Sequence, residues 1–299
     1  MNCALIGTSK FSEVHLKELV KIGIKQITII SRDKNKRNDL CNKYRSKFPN
    51  VKIDNSNIRI LKQKKFDLID ICTSNDVHDK YLRYVSKMKS IILVEKPIIS
   101  LIKLKKKYKE FLNKIYKENK KLIVCYPMQY LCKDVKKNFK VKDRINIFKF
   151  DFTTGGRYKK KEICIDLMPH VLSFLFTFFS QNKFKKNVKI IKTKVKKNSW
   201  FSKFAVKKVA FFINLKEKKS SKTSLSISIN NKKISRFTKT QNKKFINFLR
   251  YKKKIKKIKN PMSEFFKNLI KNKNNSKYYL KNKKLTYSIM DFNYRLLQS

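Results

Sequence analysis

The sequence predicts an α/β Rossmann-type domain with a parallel sheet, followed by an α+β domain whose large, mostly antiparallel sheet has one open face. Two observations lead to this fold class. Short apolar strands alternate with helical patterns through the first part of the chain, and longer segments with strand periodicity follow one another after it. Because 299 residues exceed the usual size of one domain, we expect two, spanning residues 1–121 and 122–299.

The first three elements predict a βαβ unit. Residues 2–7 form a short apolar strand that ends at Gly7, residues 12–22 have the apolar spacing of a helix, and residues 26–31 form a second strand. A strand, a helix and a strand in this order imply a parallel sheet with a right-handed crossover.

The remaining elements change in character near residue 122. Before it, strands are predicted at residues 66–73, 90–97 and 121–127, and helices at 76–88 and 101–119. After it, β-rich segments occur at residues 145–154, 187–195, 204–215 and 222–230, and helices are predicted from near Asp166 and at 261–271 and 285–298. Successive β-rich segments joined by polar turns are typical of an antiparallel sheet with one solvated face.

The net charge of +57 suggests a polyanionic partner, but its distribution argues against one. Of the 77 Lys and Arg residues, 29 lie in residues 1–120 and 48 in residues 121–299. They are spread almost evenly, whereas a dedicated binding surface would concentrate them. Abundant Asn and Ile accompany the lysines, a joint bias that AT-rich coding sequence produces. We therefore do not expect nucleic acid as the partner. The densest run, residues 250–260, is the best place for a polyanion surface, and a solvated sheet edge or loop explains it equally.

The cysteines and the apolar runs favour a soluble cytoplasmic protein. Six cysteines show no CxxC pair and no metal-ligand spacing, so we expect reduced core thiols and no metal site. The first residues run directly into a strand pattern, so no signal peptide is expected. The longest apolar run, near residues 171–179, is too short to span a bilayer, and we expect no membrane partner.

A candidate phosphate site follows the first strand. The stretch Gly7-Thr8-Ser9-Lys10-Phe11-Ser12 keeps only the first glycine of the dinucleotide fingerprint GxGxxG, with serines at the other two positions. A strand that opens into a helix presents free backbone N–H groups to an anion. Gly7, Ser9, Lys10 and Phe11 are therefore candidate cofactor contacts, and an ordinary strand-to-helix turn remains the alternative interpretation.

The end of the second strand favours NADP(H) over NAD(H). A carboxylate that binds the ribose hydroxyls is usual there, but this chain has Ser31 and Arg32, with Lys34 close behind. A hydroxyl and a guanidinium suit a 2′-phosphate, because the planar fork of arginine bonds phosphate oxygens in pairs. Asp33 offers the carboxylate that would restore NAD binding, so that alternative stays open.

Two motifs resemble the Gfo/Idh/MocA family of glucose-fructose oxidoreductases and inositol dehydrogenases. The segment IDICTSNDVH at 69–78 resembles a strand that ends in T-P-N-x-x-H, and ILVEKPIIS at 92–100 resembles one that ends in E-K-P. The matching positions are Thr73, Asn75, His78, Glu95, Lys96 and Pro97, while Ser74 replaces a proline. The resemblance implies an NAD(P) cofactor with Thr73, Asn75, His78, Glu95 and Lys96 among its contacts.

The resemblance continues through the second domain. Gly155, Gly156, Asp166 and His170 match the family segment G-G-x-n-D-x-G-x-H, with Met168 in place of its third glycine. CYPMQYL at 125–131 is similar to the segment after the domain junction, with Gln129 where arginine is frequent, and His15 also falls on a position that commonly carries histidine. All three histidines of the chain thus lie on motif positions.

Asp166 and His170 admit a structural and a catalytic interpretation. Structurally, the aspartate is a helix N-cap with Pro169 in the first turn, and the histidine is a core imidazole. Catalytically, positions i and i+4 share one helix face, so the carboxylate orients the imidazole and raises its basicity. Lys96 follows a parallel strand, at the sheet edge where ligands bind, and Pro97 keeps it extended.

The resemblance implies an NAD(P)-dependent oxidoreductase that acts on a secondary alcohol or ketone of a sugar, cyclitol or nucleotide-linked sugar. His170 would serve as general base or acid, Asp166 would tune it, and Lys96 would stabilise the developing alkoxide. Family members often associate through the open face of the second sheet, so a homo-oligomer is expected. Two alternatives stay open, namely a non-catalytic cofactor-binding sensor or scaffold of the same fold and a nucleic-acid binder that uses the +57 charge.

Overall fold

The computed structural model describes residues 1–139, 144–156, 158–184, 188–219, 222–241 and 244–299. They form two compact units. The first contains Met1–Cys125 and Phe265–Thr286, and the second contains Tyr126–Glu264 and Tyr287–Ser299. The predicted division after residue 121 falls close to the end of the first segment. The predicted ranges assign Phe265–Thr286 to the second domain, whereas this segment belongs to the first unit.

The first unit is built on a six-stranded parallel sheet, which confirms the predicted Rossmann-type fold. Its strands are β1 (Asn2–Ile6), β2 (Gln26–Ile30), β3 (Lys52–Ser56), β4 (Leu68–Ile71), β5 (Ile91–Val94) and β6 (Leu122–Val124), in the order β3-β2-β1-β4-β5-β6. Helices α1 (Lys10–Lys21), α2 (Lys34–Lys47), α3 (Ile60–Gln63), α4 (His78–Val85), α5 (Leu101–Leu104) and α6 (Tyr108–Glu118) connect them. Four central strands are buried along their whole length or nearly so, as expected of a parallel sheet covered on both faces.

The register of this sheet aligns the residues that follow its strands. Ile6 pairs with Ile30 and Ile71, and Val94 pairs with Ile71 and Val124. The next residues along the chain are Gly7, Ser31, Cys72, Glu95 and Cys125. The backbone ladder continues into this row, because the N–H groups of Gly7, Cys72, Glu95 and Cys125 each donate to a neighbouring strand at 2.9 Å. The row is therefore part of the rigid sheet edge.

The second unit is built on an eight-stranded sheet of the order β14-β13-β12-β11-β7-β10-β9-β8. Its strands are β7 (Ile147–Thr154), β8 (Val188–Lys196), β9 (Ser199–Val206), β10 (Val209–Glu217), β11 (Ser224–Ile229), β12 (Lys232–Gln241), β13 (Lys244–Tyr251) and β14 (Lys254–Ile258). The helices of this part of the chain are α7 (Met128–Asn138), α8 (Lys161–Phe179), α9 (Pro261–Lys271) and α10 (Ser276–Gln298). Among the described strand pairs of this sheet, only β7 and β10 are parallel, so the sheet is mostly antiparallel, as predicted.

Alternation along β7 divides the second sheet into a buried and an open face. Phe148, Phe150 and Phe152 are buried, and the rings of Phe148 and Phe150 contact Phe174 of α8. The intervening Asp151 is exposed and accepts hydrogen bonds from neighbouring strands on the other face. A period of two residues places one face on the helical core and the other in solvent.

Two predicted boundaries in the second unit are wrong. Helix α8 begins at Lys161, so Asp166 lies in its interior and is not an N-cap, and Pro169 is also well inside the helix. Apolar residues before Asp166, which pack in the core, extend the helix beyond the predicted start. The segment 204–215 is two strands, because a two-residue turn at Lys207 and Lys208 reverses the chain between β9 and β10. Lys207 has a positive φ of 54°, as a tight hairpin turn requires.

Helix α8 is also the one helix among the described residues that is long and apolar enough to cross a membrane. The sequence predicted an apolar run only at residues 171–179, which is shorter than the 19 residues of this helix. Of the apolar part of this helix, 67% is buried inside the protein, which is typical of a core helix. Length and composition alone are weak evidence for a membrane span.

The edge strand β6 of the first unit is held by a side chain of the returning segment. The Asn282 side chain accepts a hydrogen bond from the backbone N–H of Val124 at 2.9 Å and donates one to its carbonyl at 3.0 Å. Asn282 is buried, so its side-chain amide, and not water, provides the hydrogen-bond partners of the Val124 N–H and carbonyl.

Replacement of Asn282 by Ala should therefore lower the free energy of unfolding by about 2–4 kcal/mol, since two buried backbone groups lose their partner. Urea denaturation followed by circular dichroism measures the loss. Lys281→Ala, an exposed neighbour on α10, is the matched control and should change stability by less than about 0.5 kcal/mol. A loss for Asn282→Ala as small as that of the control would show that the amide does not hold β6.

Candidate cofactor and active site

Gly7 forms the turn between β1 and α1 and admits no other residue. Its φ is +134°, a conformation that side chains with a Cβ rarely adopt. A Cβ built there would also overlap the carbonyl oxygen of Cys72, which follows β4. The glycine therefore allows two strand ends to approach each other at the sheet edge where a phosphate would bind.

The two serines that replace the later glycines cap helix α1. Ser9 Oγ accepts from the N–H of Ser12 at 3.2 Å, and Ser12 Oγ accepts from the N–H of Ser9 at 3.1 Å. Ser12 Oγ also donates to the carbonyl of Cys72 at 3.0 Å. The third fingerprint position is thus filled by a fully buried hydroxyl whose hydrogen bonds are satisfied, and the helix packs closely against the sheet edge without a glycine.

This cap still leaves room for an anion at the start of α1. Within the described residues, the cap engages the N–H groups of Ser9 and Ser12, and those of Lys10 and Phe11 lie in the first turn, where a helix provides no internal acceptor. Lys10 is exposed and adds a positive charge, and Phe11 is 41% exposed. The loop therefore fits a pyrophosphate, with two backbone donors and one lysine.

The end of β2 carries basic side chains, and its one nearby carboxylate is engaged. Asp33 caps α2 by accepting from the N–H of Lys36 at 3.0 Å, and it pairs with the Lys36 ammonium at 3.0 Å. The hydrogen bonds and charge of Lys36 hold the pKa of Asp33 below its usual value. Arg32 is exposed, and Ser31 is half-buried, with its carbonyl bound by the Arg37 guanidinium at 2.8 Å. Asp33 is therefore a structural cap, and a ribose could bind its carboxylate only by replacing the hydrogen bonds of Lys36.

His15 of α1 is fully buried between two carboxylates. Its Nδ1 lies 2.8 Å from Asp70 Oδ2, and its Nε2 lies 3.0 Å from Glu95 Oε1. Asp70 belongs to β4 and is also fully buried, and Glu95 is 5% exposed. The imidazole ring contacts Phe11 on its own helix and Phe266 at an edge.

This arrangement keeps His15 protonated. Burial by itself lowers its pKa, but the charge and hydrogen bond of Asp70, with those of Glu95, raise the pKa to about 10. As an imidazolium it donates one N–H to each carboxylate, which are strong, charge-assisted bonds. Burial raises the pKa of Asp70 despite His15, whereas His15 and then Lys96 lower that of Glu95 against the effect of burial. Both carboxylates thus act as acceptors for the His15 imidazolium.

Cys125 completes a cluster around Glu95. One donor atom each of His15, Glu95 and Cys125 lies within 4.8 Å of the others, a spacing that a metal ion can bridge. Protons already occupy this cluster, because both ring nitrogens of His15 face carboxylates and burial raises the pKa of the Cys125 thiol, which hydrogen-bonds Glu95. A metal would have to remove these protons in a fully buried place, so the donor set favours a proton-held cluster.

The His78 ring lies between backbone carbonyls of the two motifs, at 69–78 and 92–100. Its Nδ1 lies 2.9 Å from the carbonyl oxygen of Pro97, and its Nε2 lies 3.1 Å from that of Thr73. Burial lowers the pKa of His78 in spite of these carbonyls, so the ring is neutral and donates to one of them. Asn75, two residues after Thr73, begins a 3-10 turn that leads into α4. His78 therefore lies between the backbone carbonyls that follow β4 and β5 and binds one of them.

Lys96 follows Glu95 at the end of β5 and is half-buried. It precedes a cis peptide bond to Pro97. Successive residues of an extended segment point in opposite directions, and Glu95 points into the interior. Open α/β sheets bind ligands at the edge formed by the carboxyl ends of their strands. In the first unit, the predicted site residues that lie at or just after these ends are Gly7, Ser9, Lys10, Phe11, Ser31, Thr73, Asn75, Glu95 and Lys96.

In the second unit, Asp166 and His170 lie four residues apart in α8, on one face of the helix, and both are half-buried. The imidazole of His170 packs edge-on against Phe152 of β7, with ring centroids 5.6 Å apart. His170 is thus supported by the sheet on one side and by its helix on the other. Its neighbour in the motif, Met168, is fully buried.

The glycine pair before α8 is shaped by a carboxylate that the sequence motifs did not single out. A Cβ at Gly156 would overlap the carboxylate of Glu217, which is 2% exposed at the end of β10. Glu217 Oε2 accepts from the N–H of Tyr158 at 2.7 Å. Gly156 is therefore needed for close approach, and the only signal in the sequence was a lone acidic residue at the end of an apolar strand.

The first part of the chain matches a family model. Residues 1–126 match the Gfo/Idh/MocA model, which describes an oxidoreductase family with an NAD-binding Rossmann fold. The recognition based on the T-S-N-x-x-H and E-K-P segments is thereby confirmed. A search of curated protein sequences finds no match to this chain.

Solved structures share the fold over nearly the whole chain. A dehydrogenase (MviM) from Clostridium difficile is 15% identical, with a TM-score of 0.64 over 97% of this chain and 99% of that one. KijD10, a 3-ketoreductase from Actinomadura kijaniata solved with TDP-benzene and NADP, is 9% identical, with a TM-score of 0.69 over 97% and 96%. An oxidoreductase from Agrobacterium radiobacter solved with NAD+, L-tartaric acid and magnesium is 12% identical, with a TM-score of 0.61 over 97% and 94%. The TM-scores establish a shared fold with these three proteins.

The stability of the protein should depend on pH through His15. Its pKa is raised from 6.5 to about 10 by Asp70 and Glu95, so the stabilisation is fully present below pH 6.5 and is lost as the pH rises to 10. The loss is on the order of 5 kcal/mol. Urea denaturation between pH 6.5 and 10 measures this loss. Comparison with His15→Leu removes the contribution of the buried thiols, which titrate in both proteins. Parallel pH curves for the two proteins would contradict a charged His15.

Proposed function

We propose, from the match of residues 1–126 to the Gfo/Idh/MocA oxidoreductase model with its NAD-binding Rossmann fold, that this chain transfers hydride between an NAD(P) cofactor and a secondary alcohol or ketone of a sugar, cyclitol or nucleotide-linked sugar. The observation that carries the proposal is the sheet edge of the first unit, where the Gly7 turn and Lys96 follow aligned strands. A turn that can bind phosphate and a lysine at the same edge suit a cofactor-dependent reaction at an oxygen-bearing carbon.

The proposed roles in the first unit are binding and charge stabilisation. The N–H groups of Lys10 and Phe11 and the Lys10 ammonium bind the pyrophosphate, and Thr73 and Asn75 line the edge beside it. When bound, the cofactor supplies the hydride acceptor or donor. Lys96 stabilises the negative charge that develops on the substrate oxygen as its carbon loses or gains hydride.

The proposed roles in the second unit concern the proton. His170 removes the hydroxyl proton when the substrate is oxidised and returns it when the carbonyl is reduced. Asp166, one turn earlier on α8, accepts from the imidazolium and increases its basicity. Phe152 packs edge-on against the His170 ring and supports its position.

NADP(H) is the cofactor that we propose. Arg32 and Lys34 supply positive charge where the 2′-phosphate would lie, and Asp33 is committed to capping α2. The solved neighbours support either choice, since the 3-ketoreductase was solved with NADP and the Agrobacterium oxidoreductase with NAD+. A non-catalytic sensor of the same fold would bind the cofactor without turnover, so binding and turnover have to be measured separately.

Replacement of Arg32 by Ala should raise the Kd for NADPH about 10–100-fold, since a charge-assisted contact with phosphate is lost, and leave the Kd for NADH within about twofold. Calorimetry at moderate salt measures both constants. Lys47→Ala, an exposed cation at the far end of α2, is the matched control and should change neither. Tighter binding of NADH than of NADPH by the unaltered protein would overturn the preference.

Replacement of His170 by Ala should lower kcat about 10²–10⁴-fold with an unchanged Kd for NADPH, because general acid–base catalysis is lost. Consumption of NADPH with a panel of ketosugars and nucleotide-linked ketosugars identifies the substrate and then measures the effect. Thr177→Ala, further along α8, is the control. Unchanged turnover in His170→Ala would refute the role, and cofactor binding without turnover on the whole panel would favour the sensor.

A further inference from the structure

A cavity of about 790 Å³ lies at the amino edge of the parallel sheet, opposite the edge that carries the Gly7 turn. It is bordered by the residues at which β1, β4, β5 and β6 begin, by α3, and by the turn between α9 and α10, all of which belong to the first unit. The proposed function makes no use of this edge. The volume is nevertheless that of a small-molecule site, which is typically about 300–1,000 Å³.

The walls of this amino-edge cavity are strongly basic. Six lysines line it, against a single acidic residue, Asp67, whose carboxylate already accepts from the backbone N–H of Asn2 at 2.8 Å. The lysines come from four separate parts of the chain, so the fold gathers them, and no single basic run does. They are Lys62, Lys64, Lys65, Lys89, Lys121 and Lys273.

These ammonium groups are not neutralised by carboxylates. Within the described residues, none of the six lysines forms an ion pair. Two of them lie over aromatic rings instead, Lys62 over Tyr84 and Lys64 over Phe66, at 5.7 and 5.5 Å from the ring centroids. Like charges that converge on one concave place repel one another, and such a cleft concentrates the potential that attracts anions. An occupant with several negative charges would relieve this repulsion.

A buried amide fixes two of the turns that carry the lysines. The Asn119 side chain is 5% exposed and donates to the carbonyls of Met88 and Ser90 at 2.9 and 3.2 Å. These two residues flank Lys89. The oxygen of the same amide accepts from the backbone N–H of Lys121 at 2.8 Å. Asn119 therefore holds Lys89 and Lys121, which precede β5 and β6, in a fixed arrangement.

Two further turns are held in the same way. The Asn2 side chain donates to the carbonyl of Lys65 at 2.8 Å, and the hydroxyl of Tyr279, which is 5% exposed, donates to the carbonyl of Lys273 at 2.7 Å. The backbone around the cavity is thus ordered before any ligand arrives. Binding is stronger where a site does not have to be ordered by its ligand.

The chemistry of the walls favours phosphate groups. Lysine offers a compact charge that suits phosphate, and the described walls contain no arginine that could bind a planar carboxylate in pairs. The aromatic ring in the walls, Phe66, is buried, with the ammonium of Lys64 over it, so the walls present no exposed ring on which the bases of a single strand could stack. A bounded cavity with converging ammonium groups fits a short chain of phosphates.

We propose that the amino-edge cavity binds a small oligophosphate, either free or as the phosphate chain of a nucleotide. The site lies at the opposite edge of the sheet from the proposed cofactor site. It is therefore a second anion site of the first unit, and its occupation does not depend on the proposed function.

Calorimetry of the full chain with tripolyphosphate at moderate salt tests the proposal. Lys64→Gln/Lys89→Gln/Lys121→Gln should raise the Kd about 30-fold, roughly threefold for each partly exposed ionic contact. The matched control is a Lys→Gln substitution throughout Lys105–Lys107, an exposed run outside the cavity, which should change the Kd less than about threefold. Equal losses in the two triple variants would show that only the overall charge attracts phosphate and would overturn the proposal.

Acetylation of lysines, read by mass spectrometry, locates the bound anion. Tripolyphosphate should slow acetylation of Lys64, Lys89 and Lys121 by at least about threefold and leave Lys105–Lys107 unchanged, because a bound ion covers only the groups that it contacts. Protection of Lys10 in the Gly7 turn without protection of the cavity lysines would place the anion at the cofactor edge, and the proposal would then be wrong.

A comparison of ligands distinguishes the two sources of an oligophosphate. Tighter binding of ATP than of tripolyphosphate, with the same loss in the cavity variant, would identify a nucleotide, and the reverse order would identify the free anion. Both results support the site. A single-stranded oligonucleotide that binds more tightly than either, with the same loss in the cavity variant, would show that the surface serves nucleic acid and would overturn the proposed ligand.

Discussion

The parallel register of the six-stranded sheet is the constraint on which the candidate site of the first unit depends. Level strand ends place a glycine turn, a hydroxyl, a carboxylate and a thiol in one row, although they come from residues spread between Gly7 and Cys125. A slip of one residue in any strand would turn every side chain of that strand to the opposite face. Phosphate cradle, buried charge cluster and Lys96 are thus consequences of a single alignment.

Features that depend on local sequence were predictable. Gly7 ends an apolar strand before a helical pattern, and the spacing of Thr73, His78 and Lys96 within two short motifs identifies the strand ends that carry them. The change from alternating strands and helices to successive β-rich segments predicted both sheets. Local periodicity and turn residues determine such features, and a single sequence contains both.

Features that depend on contacts between distant residues were not predictable. Asp70 is an isolated charge in an apolar strand, and only its pairing with His15, 55 residues earlier, explains it. The start of α8 was misplaced because Asp166 and Pro169 are typical of a helix beginning, whereas core packing extends the helix to Lys161. The position of Phe265–Thr286 in the first unit likewise has no local signal.

That returning segment determines when the first unit can fold during synthesis. Phe266 packs against the His15 ring, and Asn282 satisfies the backbone of the edge strand β6, so the core of the first unit is incomplete until residues beyond 282 have been made. The nascent chain therefore holds a partly finished parallel sheet while the whole second sheet is being translated. We therefore expect the buried charge cluster, although it lies early in the chain, to be sealed from water only after the second sheet has been synthesised.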